Sequence, residues 1–95
     1  APNGKLIIDD GAEKALGRGK SLLPAGVLSV SGAFNRGDAV TIENSAKVRL
    51  GCGLIAYSAN DANLIAGHKT DEIEALLGYR GRDEMIHRDD LVIDG

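Results

Sequence analysis

Between Gly17 and Ile42 the run GRGKSLLPAGVLSVSGAFNRGDAVTI leaves the backbone few choices. Leu28 and Val30 alternate with Ser29 and Ser31, and Val40 and Ile42 alternate with Ala39 and Thr41. A period of two sends one set of side chains to a buried face and the other to water, so both runs read as strands. The connection Gly32–Asp38 carries two glycines and suits a wide hairpin loop between them. A glycine-framed basic turn, Gly17-Arg18-Gly19-Lys20-Ser21, leads in through Leu-Leu-Pro-Ala-Gly. The expectation is a central hairpin that the remaining residues close or cover.

Size limits what surrounds it. Ninety-five residues make one small domain, which buries about 60–65% of its unfolded surface and has little stability to spare. Phe34, Tyr57 and Tyr79 are the only aromatics, so the core rests on Leu, Ile, Val and Ala. Thirteen glycines imply frequent turns, as in small β folds. A net charge of −3 argues against an overall grip on nucleic acid or an anionic membrane, and leaves room for a local basic patch. The single Cys52 excludes an internal disulfide and a cysteine-rich zinc site. No secretory leader and no membrane-length apolar run is visible, so a soluble cytoplasmic chain is expected.

In chain order, Ala1–Gly4 reads as a leftover linker and residues 5–95 as the domain, opening with a strand at Lys5–Asp9. Asp10 and Glu13 have capping-box spacing. Ala12, Ala15 and Leu16 form the inward stripe of a two-turn helix stopped by Gly17 or Gly19. After the hairpin, Lys47–Tyr57 reads as a strand that bends at Gly51 and Gly53. Ser58 caps a helix with Leu64 and Ile65 inward and Gly67 as its stop. Thr70-Asp71-Glu72 opens another, with Ile73, Leu76 and Leu77 buried and Gly78 at its end. Glu84–Ile93 alternates loosely, as a final strand or strand pair. The pattern is mainly β with small helices: a mixed sheet or partly closed barrel.

Several short motifs resemble catalytic signatures without their context. Gly19-Lys20-Ser21 looks like the end of a phosphate-binding loop, but Lys14 stands where the first glycine belongs and Pro24 interrupts the following helix. Gly51-Cys52-Gly53-Leu54-Ile55-Ala56 matches the dinucleotide fingerprint, yet the helix signal starts only at Ser58; a close backbone approach explains the glycine pair. His87-Arg88-Asp89 lacks every companion motif of a protein kinase. His68 and His87 with Asp83, Glu84, Asp89 and Asp90 match no metal-ligand spacing. Cys52 has no base beside it and reads as a small buried hydrophobe. No catalytic, cofactor or metal constellation remains.

Two basic clusters do remain. Lys14, Arg18 and Lys20 surround the glycine turn; Arg80, Arg82 and Arg88 lie near the tail beside Tyr79. Cations on glycine-rich backbone can meet phosphates, and an aromatic can stack on a base. The simpler expectation is that the arginines pair with Asp83, Asp89 and Asp90 while Tyr79 packs under the last helix.

Lys5–Gly11, Ala15–Gly26, Phe34–Val40, Gly53-Leu54 with Tyr57-Ser58, Ile65–Gly67 and above all Asp71–Val92 (DEIEALLGYRGRDEMIHRDDLV) resemble the C-terminal PUA domain of bacterial glutamate 5-kinases. The resemblance covers nearly the whole chain. It implies a PUA-like pseudo-barrel of mixed strands, in agreement with the residue reading. It also implies a parent enzyme that moves the ATP γ-phosphate to the side-chain carboxylate of glutamate, the first step of proline biosynthesis. Sites for ATP, glutamate, magnesium and proline would lie in an amino-acid kinase domain outside this chain, within a homo-oligomeric parent. A non-catalytic accessory or regulatory role then follows, with that kinase domain as partner. The alternative is an RNA-binding module, since related PUA domains hold RNA at the positions of Gly17, Arg18, Gly19, Lys20 and Ser21, and more loosely His87 and Arg88.

Overall fold

The computed structural model describes residues 2–94. Five strands form one mixed sheet: β1 (Gly4–Ile8), β2 (Val27–Gly32), β3 (Ala39–Glu43), β4 (Arg49–Leu54) and β5 (Leu91–Ile93). Three short helices accompany them: α1 (Asp10–Gly17), α2 (Ala59–Ile65) and α3 (Ile73–Leu77). The sheet order is β2-β1-β3-β4-β5, with β1 and β3 parallel and every other neighbouring pair antiparallel. This agrees with a mainly β fold carrying small helices.

The expected central hairpin is corrected. β2 and β3 do not pair, because β1 lies between them, with Leu6 opposite both Val30 and Ile42. Alternation reports which face a residue takes; the partner strand is set by tertiary packing. β1 is the natural centre, since Leu6 and Ile8 are both fully buried. The β2 alternation also slips. The pairing shifts between Ile7 and Ile8, leaving Leu28 as the extra residue of a bulge and 57% exposed, while Val27 takes the core position. Gly4, read as linker, heads β1, and the Asn3 amide donates to the Ala39 carbonyl. Ala1 lies outside the described residues.

Helix ends follow local chemistry. Asp9, one residue before the expected cap, accepts the Ala12 amide on its Oδ1 at 2.8 Å. At the other end the Gly19 amide donates to Leu16 O and the Lys20 amide to Ala15 O, with Gly19 at φ +76°. That is a Schellman closure, and it makes Gly19 the stop. Ser58 caps α2 as expected, accepting the Asp61 amide. Ile65 is buried, but Leu64 is 52% exposed, and Leu76 on α3 is exposed beside buried Ile73. Helices of seven and five residues present only about one inward position per turn. Lys69 rather than Thr70 precedes the 3₁₀ turn Thr70–Glu72, its amide donating to Glu72 Oε1.

The tail contributes two distinct pieces. Met85 and Ile86 are fully buried, and Ile86 bridges Leu22; a 3₁₀ turn at Arg88–Asp90 then leads into β5. The strand expected over Glu84–Ile93 is thus confined to Leu91–Ile93, with a lone bridge at Ile86 before it. Gly51 and Gly53 behave as the spacing suggested. A Cβ on Gly51 would overlap the Val92 carbonyl oxygen, and one on Gly53 would sit 2.9 Å from the Asp90 carbonyl oxygen. Two bare positions let β5 lie against β4. Cys52 between them is half-buried rather than buried, opposite Thr41 and Val92.

Candidate functional site

The turn after α1 leads directly into the segment that meets the tail. The Leu22 amide donates to Ile86 O, and the Met85 and Ile86 amides donate back to Leu22 O. This local ladder sets Ser21 beside Arg88, whose backbone amide donates to Ser21 Oγ at 2.8 Å across 67 residues of sequence. His87 caps the 3₁₀ turn through Nδ1, which accepts the Asp89 amide at 3.1 Å, so Nε2 carries the proton of the neutral ring.

A cleft of about 620 Å³ opens over this junction. Lys20, Ser21, His87 and Arg88 line it together with Asp9, Ala12, Ala15, Leu23 and Glu84. Four of the seven candidate residues therefore converge. Gly17, Arg18 and Gly19 are exposed on the turn and do not line the cleft. Asp9 and Glu84 line it as well; the sequence marks Asp9 only through the neighbouring N-cap signal and Glu84 only among acids that match no metal-ligand spacing. Lys20 and Arg88 thus face two carboxylates, which leaves the cleft close to electrically balanced.

The expected ion pairs of the other arginines do not form. Among the described residues the ion pairs are Lys5–Glu43 and Arg49–Asp94, while His68 lies 3.7 Å from Glu72 and His87 3.5 Å from Asp89, contacts that become ion pairs only with a protonated ring. Arg80, Arg82 and Arg88 pair with none of Asp83, Asp89 and Asp90. Tyr79 is 46% exposed rather than packed under a helix, and its hydroxyl donates to Asp61 Oδ2 at 2.6 Å. That hydrogen bond, with partial burial and the Asp61 charge, pushes the Tyr79 hydroxyl up to about 12. Burial raises Tyr57 as well, and its hydroxyl donates to the Arg82 carbonyl.

The Gly19-Lys20-Ser21 turn lacks the helix of a phosphate-binding loop. No helix follows Gly19-Lys20-Ser21; Leu22 forms a bridge, and Pro24–Gly26 a 3₁₀ turn. Among the described residues no three His, Cys, Asp or Glu side chains gather as metal ligands do. No helix among them is long and apolar enough to cross a membrane.

A family model described as "PUA domain" matches residues 4–77. The glutamate 5-kinase of Paramagnetospirillum magneticum is 58% identical over 94 residues, which are 99% of this chain and 25% of that protein. The glutamate 5-kinase of Rhizobium etli is 59% identical over 92 residues, 97% of this chain and 24% of that protein. The chain spans about a quarter of the length of these curated relatives. Among solved structures, a PUA domain from Aeropyrum pernix K1, crystallised as a tartrate complex, matches with TM-score 0.63 at 26% identity. That match covers 90% of this chain and 43% of the other. The archaeal box H/ACA sRNP Nop10–Cbf5 complex shares the fold, with TM-score 0.58 at 19% identity over 96% of this chain and 23% of that one. With its mixed sheet, its α1 turn and these matches together, the chain belongs to the PUA domain family, in the form carried by proteins named glutamate 5-kinase.

Proposed function

We propose that this chain is the non-catalytic accessory domain of a glutamate 5-kinase and acts on the amino-acid kinase domain of the same polypeptide. One observation carries the reading: near-complete coverage of this chain at 58–59% identity by proteins about four times its length. ATP, glutamate and magnesium belong to that other domain, in the cytoplasm and within a homo-oligomeric enzyme. The residues here contribute surface and no bond-making machinery. Removing residues 1–95 from the full-length protein is expected to leave glutamate-dependent ATP turnover while changing proline inhibition or the magnesium response. Unaltered regulation after deletion overturns the regulatory role.

A second reading rests on the convergence of Lys20, Ser21, His87 and Arg88 on one cleft. It makes the domain an RNA-binding module that uses the α1 turn, with Gly17, Arg18 and Gly19 as its rim. If about three cations meet single-stranded phosphates, log affinity falls against log salt with a slope of about −2. Arg18→Ala and Lys20→Ala should weaken binding in fluorescence anisotropy without moving the melting temperature. Absence of RNA affinity at low salt removes this reading. The two carboxylates in the cleft favour the accessory role.

A further inference from the structure

Two further clefts lie nearby, and the larger differs from the Lys20 cleft in its electrostatics. One, of about 420 Å³, is lined by Arg36, Arg80 and Arg82 with Tyr57, Tyr79 and Asp61. The other, of about 200 Å³, shares Arg36, Ala56 and Arg82 with the first and adds Glu84, His87 and Asp90. Three guanidinium groups face a single carboxylate in the larger cleft, and Asp61 already accepts the Tyr79 hydroxyl. Among the described residues none of the three arginines makes an ion pair or a side-chain hydrogen bond within the chain. In a protein of net charge −3, three guanidinium groups against one carboxylate make a local positive excess in the larger cleft, while Glu84 and Asp90 offset it in the smaller.

The backbone beneath these side chains is held firmly. Arg36 occupies the tight turn Asn35–Asp38, closed by the Asp38 amide on Asn35 O with Gly37 at φ +91°. The Asp38 carboxylate takes the Asn35 amide and the Asn3 side-chain amide, so it is already engaged beside Arg36. On the opposite wall the Tyr57 hydroxyl holds the Arg82 carbonyl. Gly81 permits this, because a Cβ there would overlap the Tyr57 hydroxyl. The Arg82 side chain thus leaves a backbone position that is held from the opposite wall.

We propose that Arg36, Arg80 and Arg82 form a binding site for a small ligand bearing a di- or triphosphate chain, separate from the Lys20–Arg88 cleft. Guanidinium forks match phosphoryl oxygens two at a time. A chain with two or more negative charges balances three arginines against Asp61 in the larger cleft. Tyr79, half-exposed at the wall, offers an apolar face to whatever the phosphates carry.

The test titrates this chain with sodium tripolyphosphate and, separately, with a twelve-residue oligouridylate, following backbone amide and arginine Nε signals by NMR. Tripolyphosphate is expected to bind with a Kd on the order of 0.1–1 mM and to shift residues 36 and 80–82. The paired substitution Arg80→Ala and Arg82→Ala should weaken it by about tenfold or more, and Arg80→Lys with Arg82→Lys by less. Arg49→Ala should leave the affinity unchanged. All these side chains are exposed, so unaltered melting curves confirm that fold is retained. Shifts spread evenly over every cation, or affinity indifferent to the paired substitution, overturn the proposal. So does a response of residues 36 and 80–82 to the oligouridylate alone, which would assign them to a nucleic-acid backbone.

Discussion

Gly51→Ala, the addition of one methyl group, is expected to lower the stability of the domain by about 2–3 kcal/mol, near the top of the range for overpacking. Urea denaturation followed by circular dichroism measures it. The new Cβ would overlap the Val92 carbonyl oxygen and come within 2.9 Å of Ile93 Cα. Both obstacles are backbone, which no side-chain rotation relieves. β5 must move off β4, and with it go the pairings of Gly51, Cys52 and Gly53 with Ile93, Val92 and Leu91. The Arg49–Asp94 contact and the bond from the Asp94 amide to the Leu50 carbonyl are lost as well. Gly17→Ala is the matched control. Gly17 ends α1 without a positive φ, and a Cβ added there would meet nothing within 4 Å. The midpoint of that variant should stay, or its stability rise by about 0.5 kcal/mol, since alanine restricts the unfolded chain. Equal effects at the two glycines would refute the close approach of β5.

These glycines show which parts of the molecule local chemistry announces. Gly51-x-Gly53 could be read as a place where two backbones touch, because only a missing Cβ allows it. Asp9, Ser58 and the Gly19 and Gly78 stops follow equally local rules, each within a residue or two of expectation. Pairing is different. β1 inserts between β2 and β3 because Leu6 and Ile8 bury completely there, a fact about the whole sheet that no window around residues 27–42 contains.

The expected arginine pairs fail for a related reason. Arg82 and Asp83 are adjacent in an irregular segment that bends at Asp83. Nearness in sequence suggests ion pairs that the folded chain does not form. The candidate site divides along the same line. The turn at Gly17–Ser21 is local and legible. Its meeting with Arg88 depends on a ladder between Leu22 and Ile86 that joins segments more than sixty residues apart.

That ladder makes Leu22 the residue whose truncation should matter most beneath the site. Leu22 and Leu23 are neighbours of the same type, and sequence gives no reason to separate them. In the structure Leu22 is 1% exposed and Leu23 46%. Leu22→Ala removes a fully buried side chain and leaves a cavity, at a cost of about 2–5 kcal/mol. A small domain with about 5–10 kcal/mol in total would then sit close to unfolding at 37 °C. Leu23→Ala, on the wall of the Lys20 cleft, should change stability by less than about 0.5 kcal/mol. Hydrogen exchange adds the site to the measurement. The Leu22, Met85 and Ile86 amides donate across the ladder, and the Arg88 amide to Ser21 Oγ follows from it. In Leu22→Ala these four should lose protection by more than the amides of β1 and β3, while in Leu23→Ala all of them keep it. A uniform loss across the sheet would mean that the junction is no weaker than the core, and that the α1 turn and the tail are held together by something other than Leu22.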